Sequence, residues 1–87
     1  NFEDANLRRT DLSGANLHLA NFTNSYLREA NLSGADLGDA VLLNANMKGA
    51  VLAGANLKGA KMYGAKLDDA KFCKTVMPDG AVNDSGC

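Results

Sequence analysis

The sequence predicts an all-β solenoid built from five-residue repeats, and three observations support this fold class. Every fifth position from Phe2 to Met77 holds Leu, Phe or Met without interruption. The residue two places earlier is Ala at twelve of fifteen positions, with Thr10, Ser25 and Thr75 as exceptions. Gly, Asn or Asp commonly stands two places later. A period of five fits neither the roughly 3.6 residues of a helical turn nor the alternation of a strand, so we expect a repeat architecture.

The large apolar side chains are predicted to form the interior. Five extended residues cover about 15 Å, which suits one short side of a polygon, so the chain must bend within each repeat. The predicted core residues are Phe2, Leu7, Leu12, Leu17, Phe22, Leu27, Leu32, Leu37, Leu42, Met47, Leu52, Leu57, Met62, Leu67, Phe72 and Met77.

The bends are predicted at the position two places after each core residue. Gly occupies it at 14, 34, 49, 54, 59 and 64, and Asn or Asp occupies it at 4, 24, 39, 44 and 69. Gly tolerates turn conformations because it lacks a Cβ, and Asn and Asp tolerate them through local hydrogen bonds. The Ala that follows keeps each corner small.

Three segments, ANLSGADLGDA, ANLKGAKMYGAKLDDA and TDLSGANLHLANF, resemble the A-(D/N)-L-x-x pattern of the pentapeptide-repeat family. The resemblance extends from Asn1 to about Met77. It implies a right-handed quadrilateral β-helix with four pentads per coil, just under four coils in all, and the central residues inside. The Asn or Asp that the pattern prefers before the core residue is replaced at Tyr26, Val41, Val51, Lys61, Lys66, Lys71 and Val76. These positions lie on a half-exposed edge, so the replacements do not threaten the fold.

With neighbouring coils about 4.8 Å apart, inward side chains twenty apart in sequence stack in ladders. The four expected ladders are Phe2-Phe22-Leu42-Met62, Leu7-Leu27-Met47-Leu67, Leu12-Leu32-Leu52-Phe72 and Leu17-Leu37-Leu57-Met77.

The periodicity stops after Met77 at a strong turn signal, Pro78-Asp79-Gly80. We therefore expect a β-helix over residues 1–77 and a capping tail over 78–87. Cys73 and Cys87 are expected to form a disulfide that pins the tail in an oxidising compartment; two free thiols in a reducing cytosol are the alternative.

The segment KFCKTVMPDGAVNDSGC resembles the C-terminal tail of pentapeptide-repeat proteins from cyanobacteria and the chloroplast thylakoid lumen. This resemblance implies a photosynthetic source and a thylakoid-lumen or periplasmic location, with the cytoplasm as the alternative. At the other end Asn1 is already in register without a cap. We expect either missing upstream residues or end-to-end stacking of two molecules, and the expected state is a monomer or an end-to-end stacked dimer.

No catalytic, metal-binding or cofactor-binding constellation is visible. His18 stands alone on an outer column and is expected to be solvated. Arg8, Arg28 and Lys48 form a column that could hold a phosphate or an acidic peptide. Glu29 and Asp68 lie in or beside that column, so we interpret it as a solvated, internally compensated face.

Net charge is −1 with both signs interspersed, which favours neither nucleic acid nor an anionic membrane. The longest apolar run, Ala40 to Leu43, is too short to span a bilayer, so we expect no membrane insertion. The predicted function is a non-enzymatic module that presents flat faces to an unidentified protein partner. Its candidate contact surface is a small apolar patch of Val41, Leu43 and Tyr63. The alternatives are a DNA-mimicking topoisomerase inhibitor, which relies on a long acidic rod, and an element that responds to the thiol or disulfide state of Cys73 and Cys87.

Overall fold

Pairing between residues twenty apart organises the chain. The computed structural model describes residues 1–87. Parallel bridges run in an unbroken series from Asn6–Tyr26 to Asn56–Val76, one for every repeat. Each bridge involves a single residue on either side, because a corner follows before a longer strand can form. The regular strands are only β1 (Thr75–Val76) and β2 (Val82–Asn83). The structure contains no helix with the length and apolar character needed to cross a membrane.

Backbone hydrogen bonds tie each coil to the next in a fixed pattern. The N–H of a core residue donates to the carbonyl nineteen residues later, as from Phe2 to Asn21 at 2.7 Å. The residue before the next core position donates back to the preceding coil, as from Tyr26 to Ala5 at 2.9 Å. Because these bonds alternate in direction around the coil, both neighbours of an inner coil are held in one register.

Every repeat turns through a residue with positive φ. The fifteen corner residues at five-residue intervals from Asp4 to Lys74 all have φ between 53° and 76°. The corner is closed by a short hydrogen bond, as from the Ala5 N–H to the Phe2 carbonyl at 3.0 Å. Eleven corners hold the Gly, Asn or Asp that the sequence marks. The other four, which the sequence does not mark, are Arg9, Leu19, Glu29 and Lys74.

The Asn or Asp before a core residue has a specific task within the repeat. Its Oδ1 accepts the N–H of the residue two places later, as Asn31 does from Ser33 at 3.0 Å. This is the bond that Asn and Asp side chains favour in turns. The bond occurs wherever the chain has Asn or Asp at this position, namely at residues 1, 6, 11, 16, 21, 31, 36, 46 and 56.

Where another residue replaces the Asn or Asp, the backbone N–H two places later loses its side-chain acceptor. The N–H groups of residues 28, 43, 53, 63 and 68 have no acceptor within the protein. Two positions solve the problem differently. Cys73 donates its N–H to the Thr75 hydroxyl at 3.1 Å, and Pro78 has no N–H to satisfy. The replacements thus change local hydrogen bonding without changing the backbone path.

The apolar interior is fully buried in the middle of the chain and only partly buried toward both ends. The core side chains from Leu17 to Leu57 are buried, and those nearer either end are partly buried against them. The rings of Phe2 and Phe22 stack at 4.9 Å between centroids and 8° between planes. That distance equals the usual spacing of paired strands, about 4.8 Å.

Two polar residues enter the buried Ala positions with different results. The Thr75 hydroxyl donates to the Leu52 carbonyl at 2.6 Å, so its burial is compensated. The Ser25 hydroxyl is equally buried and has no hydrogen-bond partner. A buried hydroxyl without a partner destabilises the fold.

The end of the chain folds back on the last repeats. Strand β2 pairs antiparallel with β1, with Thr75 opposite Asn83 and Val76 opposite Val82. The turn between them is closed by the Gly80 N–H, which donates to the Met77 carbonyl at 2.8 Å. Val76 therefore has a parallel bridge to Asn56 on one side and an antiparallel partner, Val82, on the other.

Substitutions at one outer column test the role of the turn amides. We expect Asn31→Val to lower the free energy of unfolding by about 1 kcal/mol, because the Ser33 amide loses its acceptor. The reverse change, Val51→Asn, supplies an acceptor for the Ala53 amide and is expected to stabilise the protein. Urea unfolding of both variants is the measurement. A neutral Asn31→Val would contradict this account of the repeat.

Candidate functional site

The outer side chains stack in columns, so candidate sites are patches that span several coils. The predicted apolar patch of Val41, Leu43 and Tyr63 lies on one side of the molecule. Tyr63 is 87% exposed, whereas Val41 and Leu43 are half-buried. The backbones at this patch are adjacent, because Val41 bridges to Lys61 and the Asn44 N–H donates to the Tyr63 carbonyl. Only the tyrosine of this patch is fully available to a partner.

Three further apolar side chains are exposed that the sequence analysis did not single out as contact residues. They are Leu19, Tyr26 and Val82, with exposures of 67%, 52% and 60%. Leu19 occupies a corner with φ of 64°, a conformation that disfavours residues with a Cβ. The sequence signal for both Leu19 and Tyr26 is the break in the repeat pattern at these positions.

A second surface contains all three arginines of the chain. An open groove is lined by Asn6, Arg8, Arg9, Arg28 and Glu29, and no apolar side chain takes part. We call it the basic groove. It lies on the column that the sequence analysis interpreted as internally compensated.

Nearby carboxylates neutralise only part of the positive charge in the basic groove. Arg9 Nε donates to Glu29 Oε1 at 2.9 Å, and this is the one ion pair of the structure. Both side chains are largely exposed, so the pair contributes little to stability. Arg8 and Arg28 have no carboxylate within ion-pair distance. Two guanidinium groups are therefore free to meet an anion.

Two carboxyl groups have perturbed acidity. The pKa of Glu29 is lowered by the Arg9 hydrogen bond and charge, with a smaller contribution from the Arg28 charge. The pKa of Asp11 is lowered by hydrogen bonds from the Ser13 hydroxyl and amide. Both groups are exposed, and their shifts follow from local hydrogen bonds and, for Glu29, also from the charges of neighbouring arginines.

The single histidine is exposed and lies beside Gly38 of the neighbouring coil. A Cβ built on Gly38 would lie 3.0 Å from His18 Nδ1 and 3.1 Å from Asp36 Oδ1. Glycine at 38 therefore makes room for the imidazole on the neighbouring coil. The His18 side chain makes no hydrogen bond to a hydroxyl or thiol that it could activate as a nucleophile.

The two cysteines are joined in a disulfide with a Cα–Cα distance of 4.8 Å. Two hydrogen bonds reinforce the closure: Gly86 N–H donates to the Phe72 carbonyl at 2.6 Å, and Lys74 N–H donates to Asp84 Oδ1 at 2.8 Å. The Asp84 carboxylate lies near both sulfur atoms. Because the disulfide uses both thiols, this group provides no thiolate for a metal ion.

Comparison with known proteins gives one family. The family model described as pentapeptide repeats matches residues 1–39 and 35–73, in eight copies. A comparison with curated protein sequences finds no match.

Several solved structures are similar to this chain. A pentapeptide-repeat protein of the Arabidopsis thaliana thylakoid lumen is 29% identical with a TM-score of 0.86, over 98% of this chain and 61% of that protein. HetL, involved in heterocyst differentiation regulation in the cyanobacterium Nostoc sp. strain PCC 7120, is 39% identical with a TM-score of 0.60, over 93% and 40%. A pentapeptide-repeat protein from the cyanobacterium Cyanothece 51142 is 36% identical with a TM-score of 0.63, over 76% and 52%. The chain thus spans less than two thirds of each.

The Arg9–Glu29 pair gives a prediction about acidity. The pKa of Glu29 is expected to lie below its ordinary value of 4.5 and to rise toward it in Arg9→Gln. Because the folded-state pKa is depressed, the stability from this pair is present above pH 4.5 and is lost as pH falls through the folded pKa. Titration of the side-chain carboxyl carbon by NMR measures both values. An unchanged Glu29 pKa in the variant would show that Arg9 is not its partner in solution.

The close approach of the tail to the last repeat gives a second prediction. A Cβ on Gly86 would lie 2.9 Å from the Phe72 carbonyl oxygen, so Gly86→Val should displace the tail and cost about 1–3 kcal/mol. Ser85→Val, at an exposed neighbouring position, serves as the control. Urea unfolding of both variants, with the disulfide intact, is the measurement. Equal stability of the two variants would contradict the contact.

Proposed function

Because the chain belongs to the pentapeptide-repeat family, we propose that it is a structural and protein-interaction module without enzymatic activity. The observation that carries the proposal is that different positions of the repeat have different structural roles. The core, corner and Ala positions build the scaffold, and the remaining outward positions form continuous columns on its surface. The comparisons indicate no catalytic family.

We infer that the scaffold is a right-handed quadrilateral β-helix with four pentads in each coil and just under four coils. The pairing of residues twenty apart supports a coil of four five-residue sides. In this interpretation residues 1–77 form the β-helix and residues 78–87 form its cap. The pairing of β2 with β1 and the bond from Gly86 to Phe72 support the capping role, because they occupy backbone groups of the last repeats.

The proposed partner is a protein that docks on a flat face, and the first candidate contact is the apolar patch of Val41, Leu43 and Tyr63. Tyrosine is enriched at the centres of interfaces because it combines a large apolar area with a polar end. We propose no cofactor, nucleic acid or membrane insertion for this function. The proposed state is a monomer or an end-to-end stacked dimer.

The proposed location is the thylakoid lumen or the periplasm, with the cytoplasm as the alternative. The lumenal origin of the Arabidopsis neighbour supports it. The disulfide supports it as well, because such bonds persist in oxidising compartments.

A second candidate function is a thiol-responsive element, which the disulfide favours. Reduction by a dithiol would separate Cys73 from Cys87 and leave the tail held by hydrogen bonds alone.

The DNA-mimicking alternative has less support. A long acidic rod is required, whereas this molecule measures 29 × 23 × 22 Å and carries a net charge of −1.

A paired substitution tests the interaction function. We expect the full chain to retain a partner from thylakoid-lumen extract, and Tyr63→Asp to weaken retention about tenfold by placing a charge in an apolar contact. Ser33→Asp, a partly exposed position on another side, is the matched control. Retention is quantified by isotope-labelled mass spectrometry, and circular dichroism verifies folding. Equal retention by both variants would exclude the apolar patch, and the absence of any retained protein would count against the interaction function.

A further inference from the structure

The arginines of this nearly neutral chain are unevenly distributed. Its three arginines all line the basic groove, and Lys48 continues the column of Arg8 and Arg28. Successive coils are in direct contact here, because Arg9 N–H donates to the Arg28 carbonyl at 2.9 Å and Glu29 N–H donates to the Lys48 carbonyl at 2.8 Å. The charged side chains are therefore brought together at about the spacing of paired strands, 4.8 Å.

The groove presents donors rather than acceptors. The Glu29 carboxylate is engaged by Arg9, which leaves Arg8 and Arg28 without a partner. Asn6 uses its Oδ1 to accept the Arg8 N–H at 3.3 Å, so its amide NH₂ group remains as a further donor. Guanidinium groups bind carboxylates with two parallel hydrogen bonds. The lining therefore has the chemistry of a carboxylate site.

An aromatic side chain borders the groove. Tyr26 forms a smaller depression together with Asn6 and Arg8, and its side chain is 52% exposed. Arginine and tyrosine are among the residues enriched at binding hot spots. An apolar side chain beside a carboxylate would thus meet Tyr26 while the carboxylate meets Arg8.

We propose that the basic groove binds an acidic segment of a protein partner, through carboxylates held by Arg8 and Arg28 and an adjacent apolar side chain on Tyr26. This inference rests on the proposed interaction function and adds a surface and a ligand chemistry to it. A nucleic acid fits less well, because the basic column ends at Asp68 with Asp69 beside it. A polyanion needs a longer basic track.

The test uses a synthetic probe and matched variants. A fluorescent peptide of glutamates interspersed with leucines is titrated with the full chain, and binding is followed by anisotropy. The double variant Arg8→Gln/Arg28→Gln removes the unpaired guanidinium groups. The control, Lys58→Gln/Lys71→Gln, makes the same change of net charge at exposed positions of other columns. Neither arginine of the test variant occupies a positive-φ corner, so the fold is expected to be retained.

We expect the arginine variant to weaken peptide binding about tenfold, and the lysine control to leave it within about twofold of the unmodified chain. Arg8→Lys/Arg28→Lys should recover only part of the loss, because lysine keeps the charge without the planar fork. Equal loss in the arginine variant and the lysine control would overturn the proposal, since binding would then follow net charge alone. Absence of peptide binding would also overturn it.

Two competitors identify the ligand class. Inorganic phosphate at millimolar concentration should compete weakly, and a short single-stranded DNA should compete less well than unlabelled peptide. Tighter binding of the DNA would overturn the acidic-peptide assignment in favour of nucleic acid.

Tyr63→Asp lies outside the groove and should leave peptide binding unchanged. Failure of the groove is thus separable from failure of the interaction function, which the extract experiment measures independently.

Discussion

The pairing of residues twenty apart is the constraint on which the rest of the structure depends. Each inner repeat exchanges hydrogen bonds with both neighbouring coils: the Tyr26 N–H donates to the Ala5 carbonyl of the preceding coil, and the Leu27 N–H donates to the Asn46 carbonyl of the following one. A single repeat has no such partners within itself and buries only one large side chain. Stability in such an array comes from the interfaces between neighbours. The buried residues are accordingly concentrated in the middle of the chain, and the repeats at both ends are less buried.

The register explains the composition of the repeat. The core side chain is large because it fills the interior, and the Ala two places before it is small because it turns inward at a corner. The Asn or Asp before the core residue is preferred because its side-chain oxygen accepts a hydrogen bond from the backbone N–H of the residue after the core residue. No backbone carbonyl accepts from that N–H. Val or Lys can replace this Asn or Asp because the N–H that loses its acceptor can hydrogen-bond to water instead.

Function is confined to what the scaffold leaves free. Within the repeats, the positions on either side of each core residue, together with the corner side chains, form most of the surface. Columns of such residues create the apolar patch around Tyr63 and the basic groove around Arg8 and Arg28. These two surfaces offer different chemistry on different sides of the molecule. This arrangement supports the proposal that the chain is an interaction module.

The sequence by itself determined the repeat unit, the family and the corner positions that hold Gly, Asn or Asp. It could do so because these features depend on contacts within five residues, where side-chain size and backbone preference act directly. Other features were decided only by the tertiary structure: the positive φ of Leu19, the packing of His18 over Gly38, the pairing of Arg9 with Glu29, and the approach of Gly86 to Phe72. In the first, the coil on either side imposes a corner that the residue itself disfavours. The other three join residues fourteen or twenty positions apart, and their contacts exist only once the coils have stacked and the tail has folded back.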